Sequence, residues 1–395
     1  MKLPVYVDYN ATTPIAPQVQ AAIRPWLEVE FGNASSAHAY GQRPRQAIAL
    51  ARQEVAALIG ATDDEIVFTG SATEADNLAL FGVARALPNR RHLVISAVEH
   101  PAVMQCALHL RELGWDITIV PVDSTGRVAA SAVAGALRSD TALVSIMHAN
   151  NEVGTLQPVA DIARLARAKG VLVHTDAAQS IGKVTVNVAE LGVDLLTMAG
   201  HKFYAPKGIG ALYVRQGTPI APIQFGGEQE HGLRPGTENV AFIAGFGAAC
   251  RLARDRLPAA TQRLLALRDR LHESLAMKIP GLTLNGHPEH RLPNTLHVSF
   301  PNVSGSALLI EAAESVAASV GSACHSATGH VSGVLAAMGL DGHRARGAVR
   351  LSVGQPTTET DVDVAAQALV TAWIRLVNSD EGRQGYNLDE LLRSQ

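Results

Sequence analysis

The sequence contains little cysteine. Its three cysteines, Cys106, Cys250 and Cys324, are scattered over 395 residues. A disulfide framework needs more cysteines at closer spacing, so we expect a reducing compartment, the cytoplasm. Metal-binding spacings are missing too. The 15 histidines form no His-Glu-x-x-His motif and the cysteines no Cys-x-x-Cys pair, which argues against a zinc site.

Long apolar runs and an excess of one charge sign are also missing. No apolar run reaches the roughly 18 residues that span a bilayer, so we expect no membrane association. The first eight residues lack the apolar core of a signal peptide and are typical of a short strand. The net charge of −3, without a basic block, argues against nucleic acid as the main partner.

The length and the 47% content of hydrophobic residues suffice for two domains and a large core. From about residue 45 to 255, strand-like runs alternate with helix-like segments. This alternation predicts the α/β class, with a mostly parallel mixed sheet between helices. A long charged helix is expected over 258–277, followed by a smaller α+β unit. We predict a large domain over 15–255 and a small domain formed by 1–14 and 256–395.

Polar groups follow two predicted strands of the large domain. Segment 70–77 joins a strand to a helix, and its small residues and free helix N–H groups suit an anion. Capping of that helix by Ser71 or Thr73 is the alternative explanation. Asp176 ends an apolar strand, at the edge where open α/β sheets bind ligands. A helix cap is again the alternative.

Lys202 follows a third predicted strand, 195–199. A lysine in an apolar pocket has a lowered pKa and can form a Schiff base, whereas a lone loop lysine is usually solvated. The order of the segments favours the first interpretation. An anion-binding loop, a strand-end carboxylate and an amine 26 residues later meet the needs of pyridoxal 5′-phosphate (PLP). Its phosphate needs an anchor, its ring nitrogen a charge partner and its aldehyde an amine.

Cys324 lies in a run of small and polar residues, 319–330, that offers little apolar surface. Such a run predicts an exposed, mobile loop. Free cysteines are usually buried and inert, and this interpretation fits Cys106 and Cys250, which fall on apolar, helix-like patterns. Cys324 is therefore the candidate reactive cysteine.

Nine motifs, in order, resemble those of the cysteine desulfurases and the related selenocysteine lyases. These are fold-type I PLP enzymes of the class V aminotransferase group. The likeness runs from Tyr6 to about Trp373. The motifs begin at residues 8, 32, 68, 99, 148, 174, 200, 234 and 321 and read DYNATTP, GNASS, FTGSATE, EH, HANNEVG, HTDAAQ, GHK, RPGTEN and GSAC.

The resemblance implies a role for each matching residue. Lys202 would form the Schiff base with PLP and move protons, and Asp176 would pair with the pyridine nitrogen. The other cofactor contacts implied are Gln179 to the ring hydroxyl, His100 stacked on the ring and acting in acid–base steps, Ala72, Thr73 and His201 to the phosphate, and Thr237 to the phosphate of the neighbouring subunit in a homodimer. Asn151 and Arg350 would hold the substrate carboxylate, and Cys324 would take the sulfur.

The implied reaction converts L-cysteine to L-alanine and leaves a persulfide on Cys324 for transfer to an acceptor protein. L-Selenocysteine is the alternative substrate, and another PLP lyase or aminotransferase of this fold is the second alternative. A silent scaffold or sulfur-relay protein is a third, against which the presence of Lys202, Asp176 and Cys324 together argues. The sequence does not separate the two substrates or identify the acceptor. It departs from the common family pattern at Ala34, Ala199 and Gln355.

Overall fold

The computed structural model describes residues 3–321 and 332–379. Its main sheet contains β2 (Ile66–Thr69), β3 (His92–Ser96), β4 (Asp116–Val120), β5 (Thr141–Ser145), β6 (Leu172–Asp176), β7 (Leu195–Ala199) and β8 (Gly210–Val214). The order across the sheet is β2-β8-β7-β6-β5-β3-β4. Strands β3 to β7 pair in parallel, and β8 runs antiparallel to β2 and β7. The predicted mostly parallel α/β sheet is confirmed.

Helices cover both faces of this sheet. They are α1 (Pro17–Glu28), α2 (Ala39–Ile59), α3 (Ala72–Ala86), α4 (Pro101–Glu112), α5 (Ala130–Ala136), α6 (Val159–Arg167) and α7 (Val188–Leu191). Leu93 of β3 packs with α3 and α4, whereas the next residue, Val94, packs with α2 and α6. Successive side chains of a strand point to opposite faces. Both faces are therefore buried, which is why these strands are almost wholly apolar in sequence.

Helix α8 (Val240–Lys278) is longer than the sequence predicted. The expected start at residue 258 was wrong, because the helix begins at Val240 and continues through Pro258. Proline removes one helical hydrogen bond, but the parts of the helix on either side of Pro258 are each held by packing in a core. The part up to Ala253 packs in the core under the main sheet, and the part from Leu264 packs in a second core. The proposed domain limit at 255/256 falls inside this helix, and the division into two domains stays a prediction.

The second core is built around a smaller sheet. Strands β9 (Thr283–Leu284), β10 (Thr295–Ser299) and β12 (Ala348–Ser352) are antiparallel in the order β12-β10-β9, and β1 (Val5–Tyr6) pairs in parallel with β11 (Val316–Ala317). The remaining helices are α9 (Gly305–Glu311), α10 (Gly333–Ala337), α11 (Gly342–Arg346) and α12 (Glu359–Asn378). Within the described residues, no helix is long and apolar enough to cross a membrane.

The segment after β1 connects the two sheets. The Val7 oxygen accepts a hydrogen bond from the Ser352 N–H, at 2.7 Å, and the Asn10 N–H donates to Ser352 Oγ, at 2.9 Å. Three residues later, the Thr13 N–H donates to the His201 oxygen, at 2.9 Å. Residues 7–13 therefore run from β12 to the turn after β7, and they bring Arg350 on β12 into the same region as Lys202.

Candidate active site

Lys202 ends a short 3₁₀ turn, Gly200–Lys202, that follows β7 directly. Its Nζ donates hydrogen bonds to the main-chain oxygens of Asn10, at 2.7 Å, and Ala11, at 2.9 Å. Burial and then the positive charge of Arg350 lower the pKa of Lys202 to about 8. An amine with such a pKa is partly unprotonated near neutral pH, so it can attack a carbonyl carbon.

Asp176 is the last residue of β6, and its carboxylate is buried. Oδ1 accepts a hydrogen bond from the Ala178 N–H, at 2.9 Å, within a turn. The next helix in the chain, α7, begins at Val188 and is capped by Asn187, so the helix-cap alternative for Asp176 was wrong. Burial raises the pKa of Asp176, while the nearby charges of His100 and then Lys202 lower it. The carboxylate thus lies close to both groups and can pair with a cationic ring nitrogen.

His100 precedes helix α4 and caps it. Its Nδ1 accepts a hydrogen bond from the Ala102 N–H, at 3.1 Å, which leaves the proton of the neutral ring on Nε2. Desolvation, the largest influence, lowers the pKa of His100. The helix cap uses only Nδ1, so the neutral imidazole can stack on an aromatic ring or exchange a proton through Nε2.

The N-terminus of α3 lies at the same edge of the main sheet. Ser71 Oγ accepts from the Glu74 N–H at 3.1 Å, so the capping role is confirmed for Ser71. The first N–H groups of a helix, here those of Ala72 and Thr73, have no partner within the helix and suit an anion. A Cβ added to Gly210 on β8 would lie 3.0 Å from the Ala72 nitrogen, so the helix start packs directly on this strand.

His201 and Thr237 lie on two segments that are connected to this region in different ways. His201 follows β7, whose last residue pairs with Gly210, and burial lowers the pKa of His201 to about 4. The neutral ring contacts Thr12 Oγ1 through Nδ1, at 3.2 Å. Thr237 is exposed, and its loop is tied to α3 by the 2.8 Å ion pair between Arg234 and Glu74.

Arg350 is buried in β12 and is held from two sides. Nη1 donates to the Asn151 oxygen, at 2.9 Å, and Nη2 donates to Asp8 Oδ1, at 2.8 Å. Its Nε is buried and has no hydrogen-bond partner among the described residues. The guanidinium is therefore fixed in place, and its Nε–H lacks, among the described residues, an acceptor that a carboxylate could supply. Sequence reasoning assigned no role to Asp8.

Two further polar residues at this site were missed, Asn10 and Lys183. Both are buried. Asn10 belongs to the first motif, but nothing in the residues around it indicated a role in the active site. Lys183 lies four residues after Gln179, a spacing that would place both side chains on one face of a helix. The segment instead forms turns, with Gly182 at φ +73°. The four-residue spacing was the signal available.

The three cysteines fall into two groups. Cys106 and Cys250 are buried and free, as expected. Burial raises the pKa of the Cys106 thiol to about 12, so this thiol is unreactive near neutral pH. Cys324 lies outside the described residues, as does the polar C-terminal segment from residue 380.

The chain matches the family model described as aminotransferase class-V over residues 5–364. Its relatives include a cysteine desulfurase IscS of Dictyoglomus turgidum, 45% identical over 371 residues, which are 93% of this chain and 94% of that protein. A cysteine desulfurase IscS of Methanosarcina thermophila is 44% identical over 91% of this chain and 89% of its own length.

Solved structures resemble the fold over nearly the whole chain. A NifS-like protein matches with a TM-score of 0.88 at 38% identity, over 93% of this chain and 99% of its own. The structure of SspA in complex with cysteine matches with a TM-score of 0.80 at 36% identity, over 88% of this chain and 98% of its own.

Proposed function

The chain belongs to the class V aminotransferase family, and we propose that it is a PLP-dependent cysteine desulfurase that converts L-cysteine to L-alanine. One observation of the site carries this proposal. Strand β6 ends at the buried Asp176, and the neighbouring parallel strand β7 leads directly into the turn that ends at Lys202. Burial and Arg350 lower the pKa of the Lys202 amine to about 8. The relatives named cysteine desulfurase support this reaction, and the SspA complex supports cysteine as substrate.

The residues at the sheet edge fit PLP. The start of α3 packs so closely on Gly210 that a side chain at position 210 would collide with it. The N–H groups of this helix start would bind the phosphate, and Thr73 and His201 would add further contacts. Asp176 would pair with the ring nitrogen, Gln179 would donate to the ring hydroxyl, and His100 would cover the ring. When bound, PLP acts as an electron sink for the substrate carbon. The protein supplies the amine, the charge partner and the orientation.

Arg350 and Asn151 would hold the substrate carboxylate. The guanidinium is already fixed by Asp8 and by the Asn151 oxygen, so the substrate meets an oriented cation. Pre-orientation reduces the entropy lost on binding. The carboxylate would then be anchored in the same region as Lys202, whose pKa Arg350 lowers.

Lys202 would transfer the proton of the substrate carbon, and Cys324 would take the sulfur. Lys202 Nζ accepts a proton from the substrate carbon and returns it, because an amine with a pKa near 8 exchanges protons readily near neutral pH. The Cys324 thiolate attacks the substrate sulfur, the carbon–sulfur bond breaks and its electron pair stays on carbon. The sulfur remains on Cys324 as a persulfide until an acceptor protein takes it.

Anaerobic turnover of cysteine and selenocysteine side by side tests this function. We expect alanine and sulfide in equal amounts from cysteine when a thiol reductant is present, because the reductant releases the persulfide sulfur. The measurement is the amount of alanine, sulfide and selenide formed over time. Alanine from selenocysteine alone would identify a selenocysteine lyase instead. Conversion of cysteine to pyruvate or another keto acid would indicate a different PLP reaction.

We also propose a homodimer with shared active sites. Thr237 is exposed, and it lines a surface depression together with Phe225, a residue that is 74% exposed. An exposed aromatic beside a predicted phosphate contact suits a subunit interface. Phe225→Glu is expected to shift the protein from dimer to monomer and to lower PLP retention several-fold. Sedimentation and PLP content measure these effects.

The matched control is Met277→Glu, which changes another exposed apolar residue, 84% exposed on α8. This variant is expected to remain a dimer with full PLP content. A wild-type protein that sediments as a fully active monomer at low concentration would contradict the proposed dimer.

A further inference from the structure

Lys183 is a buried lysine, 6% exposed, that the reaction described above does not use. Lysine is rarely buried without a charged partner, yet no carboxylate pairs with Lys183 in the part of the chain that the structure describes. Its Nζ donates instead to Gln179 Oε1, at 2.8 Å, and to Asn10 Oδ1, at 3.2 Å. Both acceptors are amide oxygens of side chains in the active site.

This arrangement decides which end of the Gln179 amide faces the reacting groups. An amide has one accepting and one donating end, and a main-chain oxygen only accepts. Gln179 Nε2 faces the main-chain oxygen of Asn10, to which it donates at 3.0 Å, and Oε1 therefore faces the Lys183 amine, which donates to it at 2.8 Å. Lys202 Nζ donates to the same Asn10 oxygen, at 2.7 Å. The donor end of Gln179 is thus placed beside Lys202.

Asn10 is fixed by the same contact. Its Oδ1 accepts from Lys183 and from Asn294 Nδ2, at 3.0 Å, while its Nδ2 donates to Thr295 Oγ1, at 2.8 Å. The side chain therefore has no freedom to flip without losing these bonds. The main-chain oxygen of Asn10, on which Gln179 and Lys202 converge, is held with it.

We propose that Lys183 is a positioning residue of the cofactor site, whose amine fixes the Gln179 amide so that Nε2 presents its N–H to the ring oxygen of PLP. This inference rests on the proposed function. The Gln179 N–H would make that oxygen less basic, so the bond between Lys202 and PLP would lose its proton at a lower pH. Lys183 acts through Gln179 and does not touch the substrate.

Several other charged and titratable groups surround Lys202. They are Asp8 of the N-terminal segment, His100 before α4, Asp176 of β6, His201 of the same turn and Arg350 of β12. Burial, and then Lys202 and Arg350, hold the pKa of Lys183 itself well below its usual value. All these neighbours remain when Lys183 is replaced, so their effect on the pKa at Lys202 is the same in the wild type and in the variants.

The test is a pH titration of the visible absorption band of the protein loaded with PLP. In Lys183→Met the midpoint is expected to rise by about one pH unit, the effect of one lost hydrogen bond to a charged group. Gln179→Leu is expected to give the same rise. The double variant is expected to shift no further than either single variant, because both changes remove the same contact.

Two more variants sharpen the result. Lys207→Met removes an exposed lysine five residues after Lys202 and is expected to leave the midpoint unchanged. Lys183→Gln keeps an N–H donor on a shorter side chain and is expected to shift the midpoint less than half as far as Gln179→Leu. This last comparison decides the question if Lys183→Met is insoluble.

An unshifted midpoint in Lys183→Met, additive shifts in the double variant, or an equal shift in Lys207→Met would each overturn the positioning role. A Lys183→Gln shift as large as that of Gln179→Leu would do the same. A wild-type protein that takes up no PLP contradicts the proposed function itself, and this inference with it. The two failures are therefore distinguishable.

Discussion

Lys202→Ala is expected to abolish covalent attachment of PLP and to slow desulfuration by at least about 10²-fold, the lower end for lost proton-transfer catalysis. In the structure the Lys202 amine donates hydrogen bonds to the main-chain oxygens of Asn10 and Ala11, and it lies near the carboxylate of Asp176. Alanine retains the local backbone but offers neither a nucleophile nor a proton carrier. Borohydride reduction followed by peptide mass spectrometry locates the attached cofactor.

Lys207→Ala is the matched control for this variant. Lys207 is exposed and follows Lys202 by five residues, so its removal is expected to leave both attachment and rate unchanged. Lys183 is the informative alternative, because its amine also bonds Asn10. Cofactor found on the Lys183 peptide of the reduced wild-type protein would show that the attachment site is wrongly assigned.

Cys324→Ala is expected to keep the yellow colour of the bound cofactor while the desulfuration of cysteine falls by at least about 10³-fold. Neither thiol in the part of the chain that the structure describes can replace Cys324, since Cys106 and Cys250 are buried and burial raises the pKa of both. Brief exposure of the wild-type protein to cysteine should add about 32 Da, one sulfur atom, to the peptide that holds Cys324. Mass spectrometry of both proteins tests the two expectations.

The control for the sulfur-transfer role is Cys106→Ala. Cys106 lies on α4 in the core, so this change is expected to lower stability slightly and leave the rate of sulfide formation near that of the wild type. Selenocysteine provides a second comparison, because carbon–selenium cleavage is easier and is expected to survive in Cys324→Ala. Full cysteine desulfuration by Cys324→Ala would rule out the persulfide mechanism and indicate a plain lyase.

The sequence by itself determined the main sheet and the elements that carry the chemistry. The strands that end at Asp176 and Ala199 were predicted because strands buried on both faces form short apolar runs bounded by polar residues. The start of α3 was predicted for a similarly local reason, since Ser71 caps the helix. Order along the chain then identified Lys202, because each group follows its own strand and parallel strands end at one edge.

The tertiary structure decided what depends on contacts between distant residues. Lys202 and Asn10 are 192 residues apart in sequence, and Arg350 and Asp8 are 342 apart, so no local pattern reports either pair. Helix α8 passes through Pro258 because cores on both sides anchor it, which propensity alone does not indicate. The orientation of Gln179 was likewise hidden. The sequence does not show which end of an amide faces the site. In the structure, the contacts of Gln179 with the Asn10 main-chain oxygen and with the Lys183 amine determine it.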